Sequence, residues 1–258
     1  MKKTILLYSL FAVGAAFAET AVDSGNAVGA LDLSVSNNVA SQKQTLISVP
    51  FVGYETGGAV KVKDMVKTSD LANGSKLYVA DGDGGYHTWK LAGGEWVADK
   101  KVTIGAGGQP SAGETYSQDT VVVNRGDSFW LEPVFADSAT EGTIYLLGQK
   151  ADDEGLSMAA AKWNLLGNAS VSSVTLSNES TSGFENGEQV VVQVNGKLRY
   201  WTYKSGKGWR YTTSAGTWST PSSNPLTIAA GQGFWYRATG SKTIDWSTGA
   251  IKAAVVTP

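Results

Sequence analysis

The sequence predicts an all-β protein: two tandem, related domains of β-sandwich or small-barrel type behind a cleaved signal peptide. Three observations carry that expectation. Short runs rich in Val, Ile, Thr, Tyr and Trp recur along the chain, broken by Gly, Asn, Asp or Pro at intervals of roughly eight to twelve residues. A set of landmarks occurs twice in the same order. Sustained helical periodicity is missing. Glycine contributes 31 of the 258 residues, about 12% against a usual value of about 7%, which suits a chain of many turns.

Residues 1–18 read as a signal peptide. Lys2 and Lys3 form a positive start, residues 5–17 an apolar run, and Ala16-Phe17-Ala18 a small-x-small cleavage site before Glu19. The run is too short for a bilayer core of roughly 30 Å, and no other apolar run approaches the length of a span, so the mature chain is expected to lack a transmembrane segment. Export to the periplasm, cell surface or extracellular space follows. Cleavage removes two lysines and no acid, leaving 19 basic and 23 acidic side chains, a net −4. That balance gives no reason to expect nucleic acid as a partner. With no Cys, the exported fold is held without disulfides, by apolar burial, sheet hydrogen bonds and aromatic packing.

Residues 19–40 form an N-terminal extension whose stretch 27–35 alternates as a strand outside either copy. The first copy spans 41–150, a linker 151–158, and the second copy 159–258. Tyr86-His87-Thr88-Trp89-Lys90 with Trp96 matches Tyr200-Trp201-Thr202-Tyr203-Lys204 with Trp209. Asn73-Gly74 matches Asn186-Gly187, Gly126-Asp127-Ser128-Phe129-Trp130 matches Gly231-Gln232-Gly233-Phe234-Trp235, and Thr143-Ile144 matches Thr243-Ile244. Upstream, residues 45–50 (TLISVP) correspond to 164–169 (NLLGNA). Strands are expected at 76–80, 86–91, 120–123, 128–132 and 143–147, then at 190–194, 198–204, 208–212, 226–228, 233–237 and 243–246. Asp81-Gly82 and Asn195-Gly196 are hairpin turns. Residues 152–164 are the best candidate for a helical turn or two.

Trp163-Asn164-Leu165-Leu166-Gly167-Asn168, followed by Ala230-Gly231-Gln232-Gly233-Phe234-Trp235, resembles a module of exported bacterial proteins that opens on a "WNLIGN"-like strand and closes on a "GxGFW"-like strand. Such proteins carry tandem β-modules and are mostly of unknown function. The resemblance implies residence at or beyond the cell surface and transfers no active site. The first copy departs from it, since residues 45–50 lack the Trp and the Gly-Asn.

No constellation in the sequence specifies catalysis, a metal or a cofactor. His87 is the single imidazole, and its counterpart is Trp201, so the position reads as an aromatic site on a strand. Glycoside hydrolysis needs paired carboxylates, yet Asp81, Asp127 and Glu132 become Asn195, Gln232 and Arg237 in the second copy. Asp81 to Gly85 lacks the closing acid of a calcium loop, position twelve being Ala92, and is read as a turn. Arg125-Gly126-Asp127 spells an integrin-type tripeptide whose glycine serves a turn in both copies.

Aromatic side chains are the strongest functional lead. Trp96/Trp209 and Trp130/Trp235 are assigned to cores, and the other five tryptophans to the search for a surface. Strand alternation separates Tyr200 from Trp201 and Tyr203. Tyr200, Trp201, Tyr203 and Trp218 are the candidate ligand-binding residues. The expected role is non-catalytic interaction or structural assembly. The partner is left open between a glycan, a cell-surface protein and self-assembly through edge strands, the last resting on residues 27–35 and the apolar C-terminus. A carbohydrate-binding module is the alternative, and a polysaccharide-active enzyme a further one.

Overall fold

The computed structural model describes residues 28–37, 44–52, 59–68, 70–81, 85–104, 110–113, 122–149, 156–158, 162–176, 183–194, 197–211, 226–245 and 250–255. Residues 1–18, expected as a signal peptide, and Trp218 lie outside them. The chain is all-β, and none of its sheets closes, as in a sandwich and unlike a barrel. The one described helix has four residues, so no described helix is long and apolar enough to cross a membrane.

Two compact units divide the chain: residues 1–45, 51–125 and 129–151 form one, and residues 46–50, 126–128 and 152–258 the other. The first half contributes, in chain order, β1 (Val28–Ser36), β2 (Thr45–Ser48), α1 (Val62–Met65), β3 (Val66–Thr68), β4 (Lys76–Ala80), β5 (Gly85–Ala92), β6 (Glu95–Ile104), β7 (Pro110–Ala112), β8 (Ser128–Glu132) and β9 (Glu141–Gln149). In the first unit β1-β9-β3 make one sheet, and β8-β4-β5-β6-β7 lie in that order in another. The indole of Trp96 on β6 ties the two, donating to the Val66 carbonyl of β3 at 3.1 Å.

The second half adds β10 (Leu156–Met158), β11 (Trp163–Gly167), β12 (Val174–Leu176), β13 (Gln189–Val194), β14 (Lys197–Lys204), β15 (Gly208–Tyr211), β16 (Thr227–Ile228), β17 (Gly233–Arg237), β18 (Lys242–Asp245) and β19 (Ala250–Val255). They form sheets of order β11-β17-β13-β14-β15 and β10-β18-β19-β12-β16. The core of this unit collects Val190, Val192, Phe234, Tyr236, Trp201, Tyr203 and Trp209 from the first sheet, with Val174, Ile228 and Ile244 from the second. Phe184 meets Trp209 edge-on at 5.0 Å, and Tyr203 meets Trp209 at 5.5 Å. Such contacts add about 0.5–1.5 kcal/mol each beyond area burial.

Strand pairing sharpens the internal correspondence and corrects three expectations. Leu77 pairs Trp89 as Val190 pairs Trp201, so the counterpart of Trp201 is Trp89, and that of His87 is Arg199. A two-residue slip keeps every side chain on its face, and hydrophobic pattern alone does not resolve it. The described part of 27–35 is strand as expected: β1 pairs β9 with Leu33 opposite Ile144, as β10 pairs β18 with Leu156 opposite Ile244. Of the helix expected over 152–164, residues 156–158 form β10 and 163–164 the start of β11, each paired with a neighbouring strand, and residues 152–155 and 159–161 lie outside the described residues. The strand expected at 120–123 reduces, among described residues, to a single bridge from Val123 to Val60.

The second unit incorporates two segments of the first copy, 46–50 and 126–128, held by hydrogen bonds that come in matched pairs. The Ser48 amide donates to the Gly231 carbonyl at 2.9 Å, and the Gly167 amide, at the corresponding position, donates to the Gly126 carbonyl at 2.7 Å. Val49 N–H donates to Asp127 O and Asn168 N–H to Gln232 O. Where the first copy has Ser48 and Ser128, the second has Gly167 and Gly233. A Cβ on Gly167 would meet the Asp127 carbonyl at 2.3 Å and Ser48 Cβ at 2.4 Å, and one on Gly233 would meet Leu46 Cγ at 2.5 Å and Ser128 Cβ at 2.8 Å. The glycines make room for the serines. Gly167→Ala is expected to destabilise the protein by about 1–3 kcal/mol through overpacking. Gly240→Ala, with open space at its Cβ, is expected to stay within about 0.5 kcal/mol of wild type. Paired urea titrations check the contrast, and equal midpoints would refute it.

Candidate functional site

The sheet β11-β17-β13-β14-β15 turns one face to the core, so alternation sends the intervening residues to the other face. Register sorts these outward residues into rows. One row runs Leu165, Trp235, Val191, Tyr200 across four strands. Beside it runs a second row: Trp163, Arg237, Gln189, Thr202, Arg210. The first is apolar and aromatic, and the second is polar and cationic apart from Trp163. Neighbouring strands lie about 4.8 Å apart, so Trp235 stands roughly 10 Å from Tyr200. Tyr200 is 56% exposed, Trp163 42% and Leu198 42%. Val191 is buried between its row neighbours, and Leu165 and Trp235 are half-buried.

This geometry revises the candidate set. Tyr200 is exposed as expected. Trp201 and Tyr203 are 4% and 3% exposed and belong to the core, so neither presents a ring to a ligand. Their exclusion follows from the pleat: Trp201 lies opposite Val190, and Tyr203 opposite Trp209, on the inward face. Trp218 lies outside the described residues. Trp163, one of the five tryptophans left for a surface, is exposed, whereas Trp89, another of the five, is buried; Trp235 is the one that sequence reasoning missed. Trp96 and Trp209 are buried as assigned, but Trp130 and Trp235 are half-buried and stand on the face opposite the buried Phe129 and Phe234. The signal was present in the Phe-Trp dipeptides, since adjacent strand residues cannot share a face.

At the β14–β15 turn a shallow cleft is lined by Asn186, Lys204, Ser205, Lys207 and Arg210. Its walls are tied: Ser205 N–H donates to Asn186 Oδ1 at 3.3 Å, and Arg210 Nε to the Lys207 carbonyl at 3.0 Å. Gly187, at φ +94°, turns the chain into it. None of the described residues that line the cleft is a carboxylate, and no Asp or Glu occurs within the five strands of this sheet.

Two neighbouring carboxylates of the second unit, Glu185 and Glu188, serve the fold. Glu188 and Lys242 are fully buried and pair at 2.9 Å. Glu188 also accepts from Tyr236 Oη at 2.7 Å, Thr239 Oγ1 at 3.1 Å and the Glu185 amide at 3.1 Å, while Lys242 Nζ donates to the Gly183 carbonyl at 2.6 Å. Glu185 accepts from Thr239 and faces Lys242 at 3.7 Å. Every strong acceptor position of the buried carboxylate is engaged, which offsets the desolvation of the charges. In the first copy Ser75 takes this place: its amide donates to Ala72 O as that of Glu188 donates to Glu185 O, and its hydroxyl binds the amide of Val134 as Glu188 binds that of Thr239.

The remaining sequence candidates are structural too. Asp81 accepts from the Gly85 amide at 2.8 Å and pairs with Lys101 at 3.1 Å, closing the β4–β5 hairpin. Burial and the nearby Lys101 charge hold the His87 imidazole below its ordinary range. Gly126 of the Arg-Gly-Asp tripeptide has φ +85° and donates to Val49 O. Among the described residues no group of three or more His, Asp or Glu is placed to hold a metal ion. No family model, curated protein or solved structure matches the chain.

Two outcomes test this assignment. Trp201→Ala is expected to cost about 3–5 kcal/mol as a core truncation, and Tyr200→Ala less than about 0.5 kcal/mol as a surface change. Comparable losses in thermal melts would place Tyr200 in the core as well. The second concerns pH. Burial first, then the Glu188 charge and hydrogen bond, push the Tyr236 phenol far above its ordinary value of 10.0. The folded state therefore keeps a proton that the unfolded chain releases, so this contribution is complete below about pH 10 and is lost as pH rises above it. Wild-type stability is expected to fall more steeply than that of Tyr236→Phe between pH 9.5 and pH 11, about half a unit below and one above the free-phenol value. Parallel slopes would contradict it.

Proposed function

We propose that the chain is an exported, non-catalytic binding protein that engages a glycan on the outward face of the sheet β11-β17-β13-β14-β15. The observation that carries this reading is the row Leu165, Trp235, Val191, Tyr200 beside Arg237, Gln189, Thr202 and Arg210. A sugar ring is amphipathic, with C–H groups on its faces and hydroxyls around its rim. An aromatic surface receives the face, while neighbouring amide, hydroxyl and guanidinium groups reach the rim. Export rests on residues 1–18, with Lys2, Lys3 and the Ala16-Phe17-Ala18 site. A non-catalytic role is supported by a Glu188 whose acceptor positions are occupied and by a cleft whose described lining residues include no carboxylate.

Self-assembly through the terminal strands has less support than glycan binding, because both strands pair inside their own units: β1 along nine residues of β9, and β19 along four of β18. Affinity electrophoresis in gels cast with neutral and acidic polysaccharides tests the proposal. At least one polymer is expected to retard the wild-type protein. Tyr200→Ala and Trp235→Ala are each expected to weaken retardation about tenfold or more, the effect of losing roughly 1.4 kcal/mol or more of binding, with little change in melting temperature. Free migration in every gel would overturn the reading.

A further inference from the structure

We infer that the glycan bound on this face is acidic, its carboxylate or sulfate groups meeting the cations at the β14–β15 end of the sheet. This rests on the glycan reading above and narrows it. The whole chain is slightly acidic, with 23 acidic against 21 basic side chains. Against that background the charge on this sheet is one-sided. On the face that carries Tyr200 and Trp235 its strands place Lys204, Arg210 and Arg237 and no acid, and the β14–β15 turn adds Lys207.

Geometry makes this bias useful to a ligand. Arg237 and Arg210 lie in the polar row that flanks the aromatic one, joined through Gln189 and Thr202. Lys204 is two residues beyond Thr202 on the same face, and with Lys207 and Arg210 it lines the cleft. The two acids that precede β13, Glu185 and Glu188, are both turned to Lys242 and Thr239. An acidic group adds charge-assisted hydrogen bonds to these cations that a neutral sugar does not make. Aromatic rings alone supply no preference between acidic and neutral chains. The cations therefore set the choice and the aromatics hold the rings. A nucleic acid would also answer positive charge, but the acidic balance of the whole chain lacks the broad basic footprint such partners require.

The test uses the full chain and measures affinity by calorimetry for polygalacturonate, heparin, polygalacturonate with its carboxyls reduced to alcohols, and single-stranded DNA. At least one of the two acidic polysaccharides is expected to bind, and to weaken as salt shortens the screening length from about 10 Å at 0.1 M to about 3 Å at 1 M. If polygalacturonate is the one bound, the reduced polymer is expected to bind about tenfold or more weakly. A triple variant, Lys204→Gln, Lys207→Gln and Arg210→Gln, is expected to lose about tenfold or more in affinity for the acidic polymer while melting as wild type does. Equal binding of acidic and reduced polymers would overturn the acidic assignment and leave glycan binding standing. Unaltered affinity in the triple variant would also overturn it. Binding to none of the polymers, neutral ones included, would overturn glycan recognition itself. DNA bound as tightly as either acidic polysaccharide would replace the assignment with general polyanion binding.

Discussion

In a β-chain without cysteine, large side chains packed on one face of each sheet must do what disulfides do in many exported folds. In the second unit that task falls to Phe184, Trp201, Tyr203, Trp209, Phe234 and Tyr236, all buried in one cluster. Everything else about the unit follows from this commitment. Once the inward positions of β13, β14 and β17 belong to the core, the two-residue repeat leaves the alternate positions outside. Val191, Tyr200, Trp235 and Arg237 are outward because Val190, Trp201, Phe234 and Tyr236 are inward. The proposed binding face is the other side of the core's own strands.

Two further devices adapt this frame. Small residues let backbones meet: Gly167 and Gly233 lie where the segments 46–50 and 126–128 enter the second unit, and the serines at matching positions fill the space left. Polar burial is handled in two ways at one structural position. Ser75 meets the local amide and carbonyl groups with a hydroxyl, whereas Glu188 does so with a carboxylate that in turn needs Lys242, Tyr236 and Thr239 around it. The larger arrangement is the more exacting, since loss of any partner leaves charge in a dry site.

Much of this was legible before any coordinates. Turn dipeptides and β-branched runs placed β4, β8 and β17 to the residue, and alternation separated Tyr200 from Trp201 and Tyr203. What failed did so for identifiable reasons. The pairing of His87 with Trp201 was off by two because a slip of two preserves facing. Trp201 and Tyr203 were placed among the binding residues because residue type alone does not say which face is the inner one. Trp235 was assigned to the core by its match to Trp130, although a repeat conserves exposure as readily as burial. The Glu188–Lys242 pair and the entry of 46–50 into the second unit arise from contacts between residues distant in sequence, where local pattern carries no signal.

The central claim is that one face of the sheet β11-β17-β13-β14-β15 is core and the other recognises ligand. The indole N–H signals in a nuclear magnetic resonance titration with an acidic oligosaccharide separate the two directly. Trp163 and Trp235, on the outward face, are expected to shift progressively and saturate, while Trp201 and Trp209, in the core, hold their positions. Shifts at Trp201 and Trp209 with Trp163 and Trp235 unmoved would contradict the account, as would a titration in which no indole responds.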